Sequence, residues 1–248
     1  MSDQDNNRSS NADHNMSDVE PLLKASDLDF RYPGTSFRLR LDDFTLETGR
    51  TMALIGRSGC GKSTLLDLTC GIRTPQNGTI EFEGRDLSDM GDESRRLLRL
   101  ESVGLVFQEF RLLDYLTVLD SILLPVRLAG RPVTSEIRDR AHELARRAGI
   151  QGLLKRRPQR LSQGERQRAA ICRALIGTPR LVLADEPTGN LDPTTAESVL
   201  DLLFEEVATA GAALLVITHD HEILPRFDEV FDLSERNLAA TEMKEGAS

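Results

Sequence analysis

The chain has 248 residues, 39% of them hydrophobic, enough for one large α/β domain or a core with a small insert. No stretch nears the roughly 20 apolar residues that cross a bilayer, and residues 1–20 lack the apolar segment of a signal peptide. Three cysteines without paired spacing argue against a disulfide framework or a zinc site and fit a reducing, cytosolic compartment, while the net charge of −9 argues against bulk nucleic-acid binding.

Residues 1–21 are polar and read as a disordered tail. From Leu22 the pattern alternates, most clearly over Leu28–Tyr32, and Pro33-Gly34 makes a turn. Phe37, Leu39, Leu41 and then, after a break, Phe44 and Leu46 supply another strand or two, so the chain opens with an antiparallel β part. Tyr32 is either a half-buried strand aromatic or a ring on which a base stacks.

The next stretch dominates the sequence. Gly56-Arg57-Ser58-Gly59-Cys60-Gly61-Lys62-Ser63-Thr64 fits the phosphate-binding pattern G-x-x-x-x-G-K-[ST], between an apolar strand at Thr51–Ile55 and a helix continuing from Leu65 to Cys70. Its glycines let backbone N–H groups face an anion, and the helix start adds unpaired donors and a positive dipole end. Lys62 is placed to reach the β- and γ-phosphates of a nucleoside triphosphate, and Ser63 to bind Mg²⁺.

Further on, Gly78–Gly84 reads as a hairpin strand, Asp92–Glu101 as a helix and Val103–Phe107 as a buried strand ending at Gln108. Residues 113–176 hold helical patterns only. These are Thr117–Leu128, interrupted by Pro125; Ser135–Ala148, stopped by Gly149; and Ser162–Ile176, where Ser162 and Glu165 form a capping box. Basic residues gather here. From Arg127 to Arg173 there are 13 Lys/Arg and 4 Asp/Glu, a balance of +9 that leaves −18 for the remainder. Such a block is either a set of solvated helix faces or a surface toward phosphates, an acidic partner or anionic lipid.

Strand and helix then alternate: Leu181–Ala184 with Asp185-Glu186 at its end, a helix from Pro193 to about Ala208, a strand over Ala212–Thr218 ending at His219, and a short strand at Val230–Leu233. In a parallel sheet Gln108, Asp185, Glu186 and His219 would converge on one edge, where such sheets place ligands. Asp185 would then serve the metal and Glu186 the attacking water.

Leu161-Ser162-Gln163-Gly164-Glu165-Arg166-Gln167-Arg168 resembles the signature motif of the ABC-type ATPases. The motif order is similar as well: phosphate loop, Gln108, signature, Asp185-Glu186-Pro187-Thr188, Gly189-Asn190-Leu191-Asp192, then His219. Gln163 departs from the commonest form, which has glycine there. The resemblance covers about residues 24–234. It implies a P-loop NTPase fold of class α/β, with a mainly parallel central sheet, an N-terminal antiparallel β part and an inserted α-helical subdomain at about 113–176. The ATPase domain would span 22–235, followed by a flexible tail over 236–248.

The same resemblance implies an ATPase that uses ATP and Mg²⁺, with roles for matching residues. Tyr32 would stack on adenine, and Gly56, Arg57, Ser58, Gly59, Cys60, Gly61, Lys62, Ser63 and Thr64 would hold the phosphates. Ser63, Gln108 and Asp185 would serve the metal. Glu186 would be the general base, His219 would hold the γ-phosphate, and Asp192 would link two sites. Ser162 and Gly164 would act on the ATP of a second subunit in a head-to-tail homodimer.

The run Phe107–Val118 and the block Leu183–Asp192 resemble the stand-alone ATPase subunits of lipoprotein-releasing and macrolide-exporter systems. That implies an integral membrane permease as partner, a peripheral position on the cytoplasmic side of the inner membrane, and no nucleic-acid partner. An importer ATPase is the alternative, with a non-transport ABC ATPase acting on nucleic acid or the ribosome behind it.

Overall fold

The computed structural model describes residues 21–239. Strands β1 (Pro21–Arg31) and β2 (Arg38–Glu47) pair antiparallel along their whole length. Both change the face they bury at the same level. Leu23 and Ala25 lie opposite Leu46 and Phe44, whereas beyond Asp27 it is Leu28 and Phe30 that lie opposite Leu41 and Leu39. Asp27 takes a left-handed conformation (φ +51°) at the switch, so the break at Asp42-Asp43 is a change of phase within one strand. Gly78 on β4 (Asn77–Phe82) meets this kink, and a Cβ there would lie 2.3 Å from the Asp27 carbonyl oxygen. With the short β5 (Arg85–Asp86) the order of this antiparallel sheet is β2-β1-β4-β5.

The central sheet contains β3 (Thr51–Ile55), β6 (Val103–Phe107), β7 (Leu181–Asp185), β8 (Ala213–Ile217) and β9 (Glu229–Asp232). Its order is β6-β7-β8-β3-β9, and every neighbouring pair is parallel. The continuous apolar runs follow from burial on both faces. Met52, Leu54, Leu183 and Leu215 point to the core shared with the antiparallel sheet, and Ala53, Ala184, Leu214 and Val216 to the core under the helices.

Helix α1 (Lys62–Thr69) follows β3, and α2 (Asp92–Ser102) precedes β6. The expected helical insert comprises α3 (Val118–Leu128), α4 (Ser135–Arg147) and α5 (Gln163–Leu175). Pro125 does not interrupt α3. A proline inside a helix costs about 3 kcal/mol, and burial of Ile122, Leu123 and Val126 around it offsets that loss. Glycine within β6 has a packing reason, since a Cβ at Gly104 would lie 2.5 Å from the Ala174 carbonyl oxygen of α5.

About half of the basic block is engaged. Arg147 pairs with the buried Glu206 of α6 (Pro193–Ala210), Arg146 with Glu143 and Arg127 with Asp120. Arg140, Arg168 and Arg173 donate to backbone carbonyls. Lys155, Arg156, Arg157 and Arg160 stay exposed on the loop before Ser162.

The chain is packed further at its C-terminal end than expected. Helix α7 (Leu233–Arg236) is followed by buried Asn237 and Ala239, so a flexible tail beginning at 236 is not what the structure shows up to 239. Asn237 is drawn in by hydrogen bonds to other strands and loops, a tie that composition does not reveal. At the other end Pro21, the last residue of the tail expected over 1–21, already belongs to β1; the rest of that tail, and residues 240–248, lie outside the described residues.

Candidate nucleotide-binding site

The phosphate loop turns from β3 into α1 through three glycines with positive φ, Gly56 (+143°), Gly59 (+78°) and Gly61 (+110°). Space adds a second reason at the first of them, because a Cβ on Gly56 would lie 2.8 Å from Cys60 Sγ and 2.9 Å from Ser234 Oγ. Gly61 is the N-cap of α1 and no side chain caps that end, so its first N–H groups stay available for an anion. Lys62 folds back over the loop, with Nζ donating to the carbonyls of Gly56 (2.7 Å) and Arg57 (3.2 Å).

The polar strand ends meet beside this loop, as a parallel sheet requires. The Ser63 hydroxyl donates to Asp185 Oδ2 over 3.4 Å. Burial, and then the charge of Glu186, push the Asp185 carboxyl above the usual carboxylate range. A cation here would relieve that penalty. The donor set, a hydroxyl and a carboxylate, suits Mg²⁺, which keeps several waters and takes few protein ligands. Among the described residues no cluster of three or more His, Cys, Asp or Glu is placed to hold a metal ion.

Glu186 is left-handed (φ +45°), and its N–H donates to the Ile217 carbonyl at the end of β8. This sparsely populated conformation turns its side chain away from that of Asp185, toward His219, whose Nδ1 lies 3.3 Å from Glu186 Oε1. Gln108 comes to the same place. A Cβ built on Gly189 would lie 2.9 Å from Gln108 Nε2 and 3.4 Å from Glu186 Oε2, so glycine is what lets the two groups gather over the turn. Asn190 Nδ2 donates to the Gln108 carbonyl and fixes the end of β6.

Tyr32 is half-buried. Its hydroxyl lies 3.1 Å from Thr64 Oγ1, its ring meets Phe30 edge-on, and the Arg73 guanidinium covers it at 4.6 Å from the centroid. The ring thus abuts the start of α1, while Arg73 occupies a surface on which a base could stack.

The signature residues sit elsewhere. Ser162 is exposed and caps α5, its hydroxyl accepting from Glu165 N–H while the Glu165 carboxylate accepts from Ser162 N–H, the reciprocal pair expected. Gly164 is buried, and a Cβ there would lie 2.5 Å from Thr195 Cγ2 on α6. Asp192 caps α6 by accepting from Thr195 N–H, and hydrogen bonding from the Thr195 side chain, then from that N–H, lowers its carboxyl below the usual range. Asp192 and Gly164 are therefore tied through Thr195. Among the described residues no hydrogen bond joins Ser162–Glu165 to the phosphate loop of the same chain.

Sequence reading missed several residues that shape the site. Gln167 of α5 donates to the Pro187 carbonyl over 2.6 Å inside the core, and Ser234 and Asn237 hold the phosphate loop from behind. Gln167 carried a signal, a polar residue on the buried side of a helix. Ser234 and Asn237 carried none, since both stand in a polar run after the last strand.

A family model described as ABC transporter matches residues 39–189. The chain is 43% identical over 225 residues to the lipoprotein-releasing system ATP-binding protein LolD of Ruegeria pomeroyi, covering 89% of this chain and 98% of that one. It is 43% identical over 195 residues to the LolD protein of Pseudomonas fluorescens, covering 79% and 86%. The fold matches the dimeric post-hydrolysis state of an ATP-binding cassette bound to ADP and Pi, with a TM-score of 0.75 and 30% identity over 85% of this chain and 93% of that one. The chain belongs to the ABC transporter family, as one of its ATP-binding, ATP-hydrolysing subunits.

Proposed function

We propose that this chain powers a separate integral membrane subunit of a lipoprotein-releasing system, by closing and reopening a head-to-tail homodimer around two ATP molecules. The observation that carries the reading is the separation of a complete site into two surfaces. Gln108, Asp185, Glu186 and His219 gather beside the phosphate loop, whereas the exposed start of α5 with Ser162 makes, among the described residues, no hydrogen bond to that loop. A second copy placed head-to-tail brings that helix start to the γ-phosphate, where its N–H groups meet negative charge.

Within such a site the chain's own groups divide the work. The loop amides and Lys62 hold the phosphates, and Tyr32 stacks on the base once Arg73 moves aside. Ser63 and Asp185, with Gln108 nearby, would hold Mg²⁺, which supplies charge neutralisation at the phosphate oxygens. Glu186 takes a proton from the attacking water as the bond to the leaving ADP oxygen breaks, and His219 orients Glu186 and the γ-phosphate. The partner's affinity for the first chain then falls with the γ-phosphate, which gives a two-state switch.

The membrane subunit has a fitting surface. A shallow apolar groove between β6, α3 and the end of α5 is lined by Leu105, Phe107, Leu124, Pro125, Leu128 and Ala174. Leu128, one of the lining residues, is 53% exposed. A cytoplasmic helix of the membrane subunit docks here, beside the strand end that carries Gln108. No helix among the described residues is long and apolar enough to cross a membrane; by likeness to the LolD proteins, the chain would sit peripherally on the inner membrane.

Light scattering of Glu186→Gln with and without MgATP tests the switch. A dimer that appears only with MgATP is the expected result. A monomer under saturating MgATP would contradict the shared site.

A further inference from the structure

We propose that Ser234 and Asn237 are positioning residues which hold the phosphate loop in its nucleotide-ready shape from the C-terminal side. The proposal rests on the reading that this loop binds ATP. The loop is glycine-rich and, among the described residues, makes few hydrogen bonds of its own. These are Cys60 N–H to the Arg57 carbonyl, Leu65 N–H to the Gly61 carbonyl at the helix start, and the two from the Lys62 ammonium, a group whose work is at the phosphates. Two anchors come from outside. The Ser234 hydroxyl accepts from the Arg57 N–H over 2.7 Å, and the Asn237 amide donates to the Cys60 carbonyl over 3.2 Å. They grip the loop on either side of Gly59, the part that must wrap the phosphates.

Both anchors are themselves fixed. Strand β9 pairs with β3 up to Ile55 and Asp232, so α7 begins beside the loop, and Asp232 caps it by accepting from Ser234 N–H at 2.8 Å. Asn237 is 2% exposed and uses both ends of its amide: Oδ1 accepts from the N–H groups of Arg40 and Ala239, and Nδ2 also donates to the Arg38 carbonyl. One buried side chain thereby joins β2, the phosphate loop and the C-terminal segment. A polar group this deep with its bonds satisfied specifies one arrangement of the parts it joins. Ser234 Oγ also stands only 2.9 Å from where a Cβ on Gly56 would be, so the hydroxyl and the glycine fit one another.

The test uses the full chain with Ser234→Ala, Ser234→Thr and Asn237→Ala, and two readouts. The first is binding of a fluorescent ATP analogue with Mg²⁺, together with steady-state hydrolysis. The second is alkylation of Cys60 in the nucleotide-free protein by an uncharged maleimide. Cys70 and Cys172 serve as internal controls, because burial pushes their thiols up to about 11 and about 12 and leaves them unreactive in folded protein.

Losing one such hydrogen bond should weaken nucleotide binding and raise KM by about two- to tenfold, with kcat at saturation within about twofold. Cys60 should label faster in the absence of nucleotide, and Ser234→Thr should restore both values. Folded Ser234→Ala and Asn237→Ala proteins with unchanged KM and unchanged Cys60 labelling would overturn the proposal, as would a loss confined to kcat. If the unaltered chain failed to bind the analogue, the nucleotide reading would fall, and the labelling comparison would still decide whether these residues shape the loop.

Discussion

Nδ1 of His219 lies 3.3 Å from Oε1 of Glu186, joining the end of β8 to the end of its neighbour β7. The contact places a carboxylate in the site and gives it an orienting partner, the arrangement expected of a general base and the group that steers it. His219 is otherwise open to solvent, its side chain 71% exposed, so a partner molecule or nucleotide can still reach it.

Glu186→Gln keeps the shape and the hydrogen bonding of the side chain but cannot accept the proton of the attacking water. Phosphate release should fall by about 10²-fold or more, with nucleotide binding retained in equilibrium dialysis. Near-normal turnover would remove Glu186 from the chemistry. His219→Ala should lower turnover as well, and should leave the folded stability nearly unchanged because the side chain is exposed.

Gly164 and Ser162 separate packing from function within one motif. Gly164→Ala drives a methyl group to 2.5 Å from Thr195 Cγ2, and overpacking of this kind costs about 1–3 kcal/mol. The urea midpoint should drop, and Thr195→Ser in the same chain should recover most of it. Ser162→Arg has open space and loses a cap worth about 1 kcal/mol, so the monomer should fold and bind ATP. Dimer closure under MgATP should fail. A Ser162→Arg monomer unable to bind ATP would place the motif in the site of its own chain.

The Arg147–Glu206 pair gives a pH-dependent prediction. Glu206 is 5% exposed, and burial raises its carboxyl above the usual range even with Arg147 2.6 Å away. Removing the cation by Arg147→Ala leaves a buried charge without its partner, a change that costs about 3 kcal/mol. A carboxyl raised in the folded state is penalised when ionised. Its destabilising effect is therefore absent below the unfolded pKa and appears as pH rises through the folded one. The deficit of Arg147→Ala against the unaltered chain should be largest near neutral pH and should shrink as pH falls toward 5 in urea titrations. A deficit independent of pH would show that the pair contributes through packing alone.

The parts of this molecule that were legible in its sequence are those in which a local pattern and a tertiary need coincide. The phosphate loop was legible because the glycines that its backbone requires are also its motif, and the central strands because burial on both faces leaves uniform apolar runs such as Leu181–Ala184. The convergence of Gln108, Asp185, Glu186 and His219 followed from parallel strands alone. Pro125 misled, because packing around α3 overrides a local preference. The phase switch at Asp27 and Asp42 was read as a break, since two exposed aspartates in a strand look like a turn until the partner strand is seen to switch with them. Ser234 and Asn237 were invisible, because their partners lie about 180 residues away along the chain and bond through backbone atoms that any sequence would offer.

The apolar groove yields a separable effect. Leu128→Glu puts a charge on its rim, where the side chain is already half in water, so folding and ATP binding should persist. Attachment to a membrane subunit should be lost, because burying an unpaired carboxylate in an apolar contact is costly. Co-sedimentation with membranes that hold the partner measures this directly, and binding as tight as that of the unaltered chain would move the docking surface elsewhere.

The central claim is that this ATPase drives a membrane protein, and the most direct measurement is capture of that protein. The Glu186→Gln chain, held with MgATP, is used as bait on detergent-solubilised membranes of the organism that makes it, with the Leu128→Glu double variant as control. The account predicts recovery of an integral membrane protein with a large extracytoplasmic domain, and its absence from the control. Recovery of only soluble partners or nucleic acid would leave the ATPase chemistry in place and contradict the role as a transport motor.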